Sequence, residues 1–182
     1  IIILSPILIV LSVMIKLDSE GPVLFKQVRV TSYGKNFKIW KFRTMVNNAD
    51  KIGTQVTTKG DSRITRVGHL LRKVRLDELP QLFNVLAGDM TFVGTRPEVP
   101  KYVECYTDEM KATLLLPAGI TSRASIEYKD EEKLLENVEN ADTAYVQKVL
   151  PEKMKYNLRE IERYSFWRDI ETMIRTVFAV IK

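Results

Sequence analysis

The run over residues 1–15 constrains this chain more than any other feature: it is apolar except for Ser5, Pro6 and Ser12, and Lys16 ends it. As a straight helix it would cover about 22 Å, short of a ~30 Å hydrocarbon core. Pro6 removes a backbone donor and clashes with the preceding turn, so a helix through it should bend. Ser5 can hydrogen-bond a carbonyl freed by that bend. The economical expectation is a bent helix that enters one leaflet and returns, with a truncated signal anchor or a buried core helix as alternatives. Neither the positive start nor the small-residue end of a signal peptide is present, and the run is expected to continue upstream of Ile1. The expected division is a membrane helix over 1–16 and a separate domain over 17–182.

A chain of 182 residues is long enough for one domain with its own core, without disulfides or structural metal. Its net charge of +5 points to an anionic partner. Nucleic acid, phosphorylated metabolites and an anionic membrane surface all qualify. Cys105 is the sole cysteine, which excludes an internal disulfide. With His69 it completes the soft ligands, too few for zinc, so any metal would be hard and held by oxygen, such as magnesium.

Residues 23–30 and 37–45 read as two strands around a turn containing Gly34, a β-hairpin carrying basic residues. Residues 46–61 are polar and expected to form a mobile loop. Asp61 or Ser62 can cap a helix from Arg63 to about Leu76, with Ile64, Val67, Leu70, Leu71 and Val74 on one face. A second helix is expected to start at Asp77 and run through Leu86, with Pro80 tolerated in its first turn. Residues 90–93 form a short strand leading into Gly94-Thr95-Arg96-Pro97-Glu98. Beyond Pro100 the chain reads as mostly helical, broken at 117–119, with Pro151 opening a last long segment. Residues 167–182 are amphipathic and either lie at a membrane interface or pack on their own domain. The fold class is α+β: a mostly helical domain with a small β-hairpin or sheet.

The chemistry should sit in Arg72-Lys73-Val74-Arg75-Leu76-Asp77-Glu78-Leu79-Pro80-Gln81, where two carboxylates follow a cationic helix end. The dipole of the expected helix should hold Asp77 ionised. An ionised carboxylate can attack phosphorus once cations neutralise the target. The bland alternative is a helix cap at Asp77 and a solvated Glu78. The 94–98 loop can bring backbone amides and the Arg96 guanidinium to a phosphate, although Arg-Pro turns are common surface features. Lys41 and Arg43 flank Phe42, which fits a nucleic-acid surface or a solvated strand face. His69 reads as a helix-surface residue, Cys105 as inert, and Trp40 and Trp167 as packing anchors.

Several motifs occur here in one order: Ser5-Pro6, 21–29, Lys41-Phe42-Arg43-Thr44-Met45, 76–86 with Gly88-Asp89-Met90, and 94–98. Together they resemble the bacterial sugar transferases, the monotopic phosphoglycosyl transferases that start glycan assembly on undecaprenyl phosphate. The resemblance covers roughly the first hundred residues closely. It implies transfer of a sugar-1-phosphate from a UDP-sugar to undecaprenyl phosphate through an aspartyl-phosphosugar, releasing UMP and initiating polysaccharide, lipopolysaccharide or glycoprotein assembly. Asp77 would be the nucleophile, Glu78 its partner as magnesium ligand or base, and Mg2+ the cofactor held by both. Lys41, Arg72 and Arg96 would bind substrate phosphates, and Ser5-Pro6 would break a re-entrant helix. The implied location is the cytoplasmic face of the bacterial inner membrane, with no nucleic-acid partner and a homodimer left open. The family usually has glycine near Thr31 and proline at Thr95, and many members continue differently after Thr121, so no particular sugar carries over. A catalytically inactive, membrane-peripheral binding module of the same fold is the competing expectation.

Overall fold

Ser5 and Pro6 set where the first helix begins. In the computed structural model, which describes residues 1–49, 52, 57, 60–135, 138 and 140–181, Ile2–Leu4 form one 3-10 turn. Helix α1 (Ser5–Asp18) follows with Pro6 in its first turn, where its missing N–H leaves no helical bond unmade. The Ser5 hydroxyl donates to the Ile2 carbonyl at 2.8 Å. The expected bend inside a helix is therefore a switch from 3-10 to α geometry at Ser5. Ile3, Ile9, Val10, Val13 and Leu17 are exposed, while Leu11 and Ile15 are buried against Phe42 and Leu71. Among the described residues, no helix is long and apolar enough to cross a membrane.

Strands β1 (Leu24–Val30) and β2 (Asn36–Phe42) form the expected antiparallel hairpin, with Leu24 opposite Phe42 and Val30 opposite Asn36. β2 ends three residues earlier than the sequence pattern predicts. Because side chains alternate along a strand, Phe37 and Ile39 pack with Met90 on one face, while Phe42 packs with Leu11 and Leu71 on the other. Asn84 closes the free edge of β2: its carboxamide accepts the Trp40 N–H and donates to the Lys38 carbonyl, both at 2.9 Å. Those are the bonds a third strand would make.

Helix α2 (Arg66–Lys73) starts later than expected. Thr65 is its cap, accepting the Gly68 N–H at 3.0 Å, and Asp18 accepts the Val67 N–H at 3.0 Å. Ile64 is still extended, bridged to Met45, and Asp61 is engaged by Arg63 at 2.6 Å instead of capping. A Cβ on Gly68 would stand 2.1 Å from the Thr44 carbonyl oxygen, so only glycine lets α2 lie directly on that segment. α2 also ends early, because Arg75 adopts a left-handed conformation (φ 55°). Leu76–Glu78 then form a 3-10 turn, and α3 (Gln81–Leu86) begins after Pro80 rather than at Asp77.

Strand β3 (Thr91–Val93) falls where expected, but its parallel partner β4 (Gly119–Thr121) was not foreseen. The glycines Gly94 and Gly119 allow their close approach: a Cβ on Gly119 would lie 2.1 Å from the Gly94 nitrogen. The remainder is helical, as expected: α4 (Pro100–Val103), α5 (Asp108–Lys111), α6 (Arg123–Glu127), α7 (Glu131–Leu134) and α8 (Ala141–Ala144). A π-helical turn, Tyr145–Val149, leads into α9 (Leu150–Glu162), and α10 (Phe166–Ile181) ends the described chain. Tyr102, Leu135, Tyr145, Leu150 and Met154 make a second core. α10 packs on β3, β4 and α6, leaving Ile174, Val177 and Phe178 exposed. The architecture is α+β, with two small two-stranded sheets among the described residues. Part of the 46–61 loop lies outside them.

Candidate active site

The short turn between α2 and α3 carries the two carboxylates inward. Asp77 is 8% exposed, and its Oδ1 is buried without a hydrogen-bond partner. Glu78 is the opposite case. Arg96 grips both of its oxygens, NH1 donating to Oε2 at 3.1 Å and NH2 to Oε1, while Lys41 Nζ lies 3.4 Å from Oε1 and Arg75 NH1 3.8 Å from it. The strand register explains Lys41: it shares the face of Phe37 and Ile39, which β2 turns toward the 76–78 turn. Arg96 arrives from the loop after β3. Its neighbour Gly94 donates to the Thr121 carbonyl at 2.9 Å. That amide, expected to be available to a phosphate, belongs to the sheet instead.

The two carboxyls are driven apart in acidity. Burial raises the pKa of Asp77, and the neighbouring Glu78 charge adds to this against Lys41, Arg72 and Arg75. Burial also opposes ionisation of Glu78, but Arg96 and Lys41 outweigh it and hold Glu78 well below the usual carboxylate range. Lys41 is pushed down to about 8 by burial, against the pull of Glu78. The helix-dipole argument for an ionised Asp77 therefore fails, since the residue sits in a 3-10 turn ahead of the α-helix and desolvation dominates.

Asp77, Glu78, Lys41, Arg72 and Arg96 all line one cavity of about 1310 Å³, which separates none of the expected phosphate ligands from the carboxylates. Arg72 Nε donates to Thr44 Oγ1 at 3.0 Å. Ser5 and Pro6 are not part of this cavity. His69 is exposed at its rim, Cys105 is exposed, and Trp40 packs on Phe83 with ring centroids 5.7 Å apart. Trp167 is exposed, touching Phe166 edge-on.

Sequence reasoning missed a second buried polar cluster on the same cavity. Glu98 accepts a hydrogen bond from the Tyr145 hydroxyl, and Lys153 Nζ lies 3.5 Å from Glu98, 2.9 Å from the Tyr145 oxygen and 3.0 Å from Glu131. Arg29 NH1 donates to the Pro97 carbonyl at 3.0 Å and stands 3.8 Å from Glu98. A signal for Lys153 was available: Leu150, Lys153, Met154 and Asn157 follow the spacing of one inward helix face, and all four are buried.

Magnesium is commonly held by one or two carboxylates completed by substrate phosphates. Among the described residues no group of three or more acidic, His or Cys side chains is placed to hold a metal. Asp77 Oδ1 is a hard donor without a partner and suits that mode, whereas Glu78 can join only if a phosphate draws Arg96 or Lys41 from it.

Residues 1–182 match the family described as bacterial sugar transferase. The chain is 34% identical over 180 residues to a UDP-N-acetylgalactosamine-undecaprenyl-phosphate N-acetylgalactosaminephosphotransferase of Aeromonas hydrophila, covering 97% of this chain and 40% of that protein. It is 39% identical over 183 residues to a UDP-glucose:undecaprenyl-phosphate glucose-1-phosphate transferase of Klebsiella pneumoniae, covering 97% of this chain and 36% of that one. The chain thus spans less than half of either relative. An uncharacterized sugar transferase EpsL of Bacillus subtilis is 33% identical over 177 residues, 97% of this chain and 79% of that protein. The chain belongs to the bacterial sugar transferase family.

Proposed function

We propose that the chain catalyses transfer of a sugar-1-phosphate from a UDP-sugar to undecaprenyl phosphate. The observation that carries this reading is the buried, unpartnered Asp77 oxygen in a cavity walled by Lys41, Arg72 and Arg96. In the first step Asp77 Oδ1 attacks the sugar-bearing phosphorus, the bond from that phosphorus to the bridging oxygen breaks, and UMP leaves. An oxygen of the lipid phosphate then attacks the same phosphorus, releasing the Asp77 carboxylate and forming a polyprenyl diphosphate sugar. Burial makes the ionised Asp77 a stronger nucleophile, because it raises basicity and strips solvent. Glu78 holds Arg96 and Lys41 at the positions where phosphate charge develops.

A bound magnesium ion would neutralise diphosphate charge, with Asp77 as a protein donor and Glu78 joining it only where a phosphate draws Arg96 or Lys41 away. The relatives named above act on different UDP-sugars, so the donor class is proposed and the sugar is not. The exposed apolar side of α1 supports a helix lying in one leaflet, its break at Ser5-Pro6, with the site at headgroup level on the cytoplasmic side of the inner membrane. On this reading residues 1–16 are the membrane element and 17–182 the catalytic domain.

The test is UMP release from a panel of UDP-sugars with detergent-solubilised protein, magnesium and undecaprenyl phosphate. Asp77→Asn should abolish release with the fold intact. Equal release by that variant would remove Asp77 as nucleophile, and none from the native protein would favour a binding module without catalysis.

A further inference from the structure

Most of the carboxylates that line the cavity around Asp77 are engaged by protein. Arg96 and Lys41 hold Glu78, the Tyr145 hydroxyl and Lys153 hold Glu98, and Lys133 pairs with Asp130 at 3.3 Å. Asp77 is the proposed nucleophile. Glu131, the first residue of α7, is built differently. Its Oε2 accepts a hydrogen bond from Lys153 Nζ at 3.0 Å, and Lys153 is 4% exposed, so the carboxylate is anchored from the protein side. The Glu131 side chain is itself 32% exposed on the cavity wall, and among the described residues no group binds its Oε1. The lysines two positions to either side are used elsewhere, Lys129 on the Ala179 carbonyl at 3.4 Å and Lys133 on Asp130.

Two ties set this open oxygen near the reacting turn. Arg75 makes the first: its NH1 stands 3.8 Å from Glu78 Oε1, and its NH2 donates to the Lys129 carbonyl at 3.1 Å. Lys153 makes the second, bonding Glu131 while lying 3.5 Å from Glu98, two residues beyond Arg96. The Glu131 charge is accordingly felt at Arg96, where it favours the protonated guanidinium after Glu78 does.

We infer that Glu131 is a specificity residue for the donor, its Oε1 accepting a hydrogen bond from a hydroxyl of the transferred sugar. The inference rests on the transferase reading and deepens it. A carboxylate accepts hydrogen bonds and repels phosphate oxygens, so its partner in a donor substrate is a hydroxyl or an N–H. The sugar hangs on the phosphorus that Asp77 attacks, whereas the ribose and uracil lie one phosphate farther away. A group tied to Arg75 and to the Arg96 loop therefore meets the sugar first. A site built to accept from a hydroxyl rejects an analogue lacking it, because the buried polar group is then left without its partner.

The test is isothermal titration calorimetry on the protein in detergent with magnesium. The ligands are UMP, the UDP-sugar of the panel that binds the native protein most tightly, and the monodeoxy analogues of that sugar. Glu131→Gln should weaken the UDP-sugar about tenfold and leave UMP unchanged. One monodeoxy analogue should bind the native protein about tenfold more weakly than its parent, and should bind the variant as well as the parent does. An equal loss for UMP and UDP-sugar would overturn the inference, since ribose, phosphate or packing would then account for it. So would an unchanged UDP-sugar affinity, or a variant that still rejects the same analogue. The transferase reading fails separately: a native protein that binds the UDP-sugar but releases no UMP sinks that reading, while the affinities still decide on Glu131. A native protein that binds no UDP-sugar overturns both.

Discussion

Two buried acidic clusters face the same cavity and are built in contrary ways. Around Glu98 the partners are complete: Tyr145, Lys153 and Arg29 surround it, and their charges and hydrogen bond overcome burial to keep its pKa low. Around the 76–78 turn only Glu78 is served this way. Asp77, one residue earlier and as deeply placed, keeps an oxygen with no partner and a raised pKa. A satisfied buried network fixes a fold, whereas an unsatisfied buried carboxylate costs stability and persists where chemistry uses it. The preceding Arg75, left-handed without being glycine, adds local backbone strain at the same point. The difference supports assigning the Glu98 cluster to architecture and, on the proposed function, Asp77 to reaction.

Opposite signs of stability would make or break that contrast. Asp77→Asn should lower turnover by at least about 10³-fold. It should not lower the melting temperature, because it removes a charge that burial disfavours. Lys153→Met should act in reverse, leaving Glu98 and Glu131 with one fewer cation in a site where Lys153 is 4% exposed. Breaking a buried pair costs about 3–5 kcal/mol, a drop of roughly 10 °C in a domain of this size. Thermal unfolding of both variants checks this, and a destabilised Asp77→Asn beside an unaffected Lys153→Met would invert the assignment.

Glu78→Gln sharpens the comparison from within the turn. A neutral carboxamide cannot gather Arg96 and Lys41, so kcat/KM should fall about 10²-fold while the fold survives. Steady-state kinetics over donor concentration measure it. A loss as complete as that of Asp77→Asn would mean that Glu78 takes part in bond making instead of holding cations.

The hairpin was legible because its alternation is local and both faces carry apolar residues that only a strand could divide between two cores, Phe37 and Ile39 against Phe42. The position of the carboxylates in the chain was legible too, whereas the nearness of Lys41 to them was implied only by the family resemblance, since its own strand pattern fits a solvated face equally well. The electrostatics of Asp77 were not legible. They depend on Arg75 leaving helical geometry and so moving the start of α3 past Pro80, which no residue pattern announces for an arginine. β4 was hidden for a related reason. A three-residue strand has no periodicity to read, and what makes it possible is the contact of Gly94 with Gly119, 25 positions apart in the numbering. Thr31 stood out as a departure from the family pattern, and its hydroxyl turns out to join distant segments, accepting the Ala118 N–H at 3.1 Å and donating to the Asp89 carbonyl at 3.0 Å.

The mildest effect concerns Lys41, the cation that the fold weakens. Its pKa of about 8 stands below the ordinary 10.5. Raising the pH through 8 should discharge it, remove one of the charges beside Glu78 and lower kcat/KM by up to about tenfold. Unfolding cannot account for such a fall through this residue. The unfolded chain holds the Lys41 proton more tightly than the folded one, so between pH 8 and 10.5 this group makes the fold more stable as pH rises. Lys41→Arg keeps its charge and should flatten the alkaline limb of the profile, whereas Lys41→Met should be slow at every pH and equally flat. A limb that survives in the arginine variant would place the titrating group elsewhere and leave Lys41 a packing residue between the hairpin and the turn.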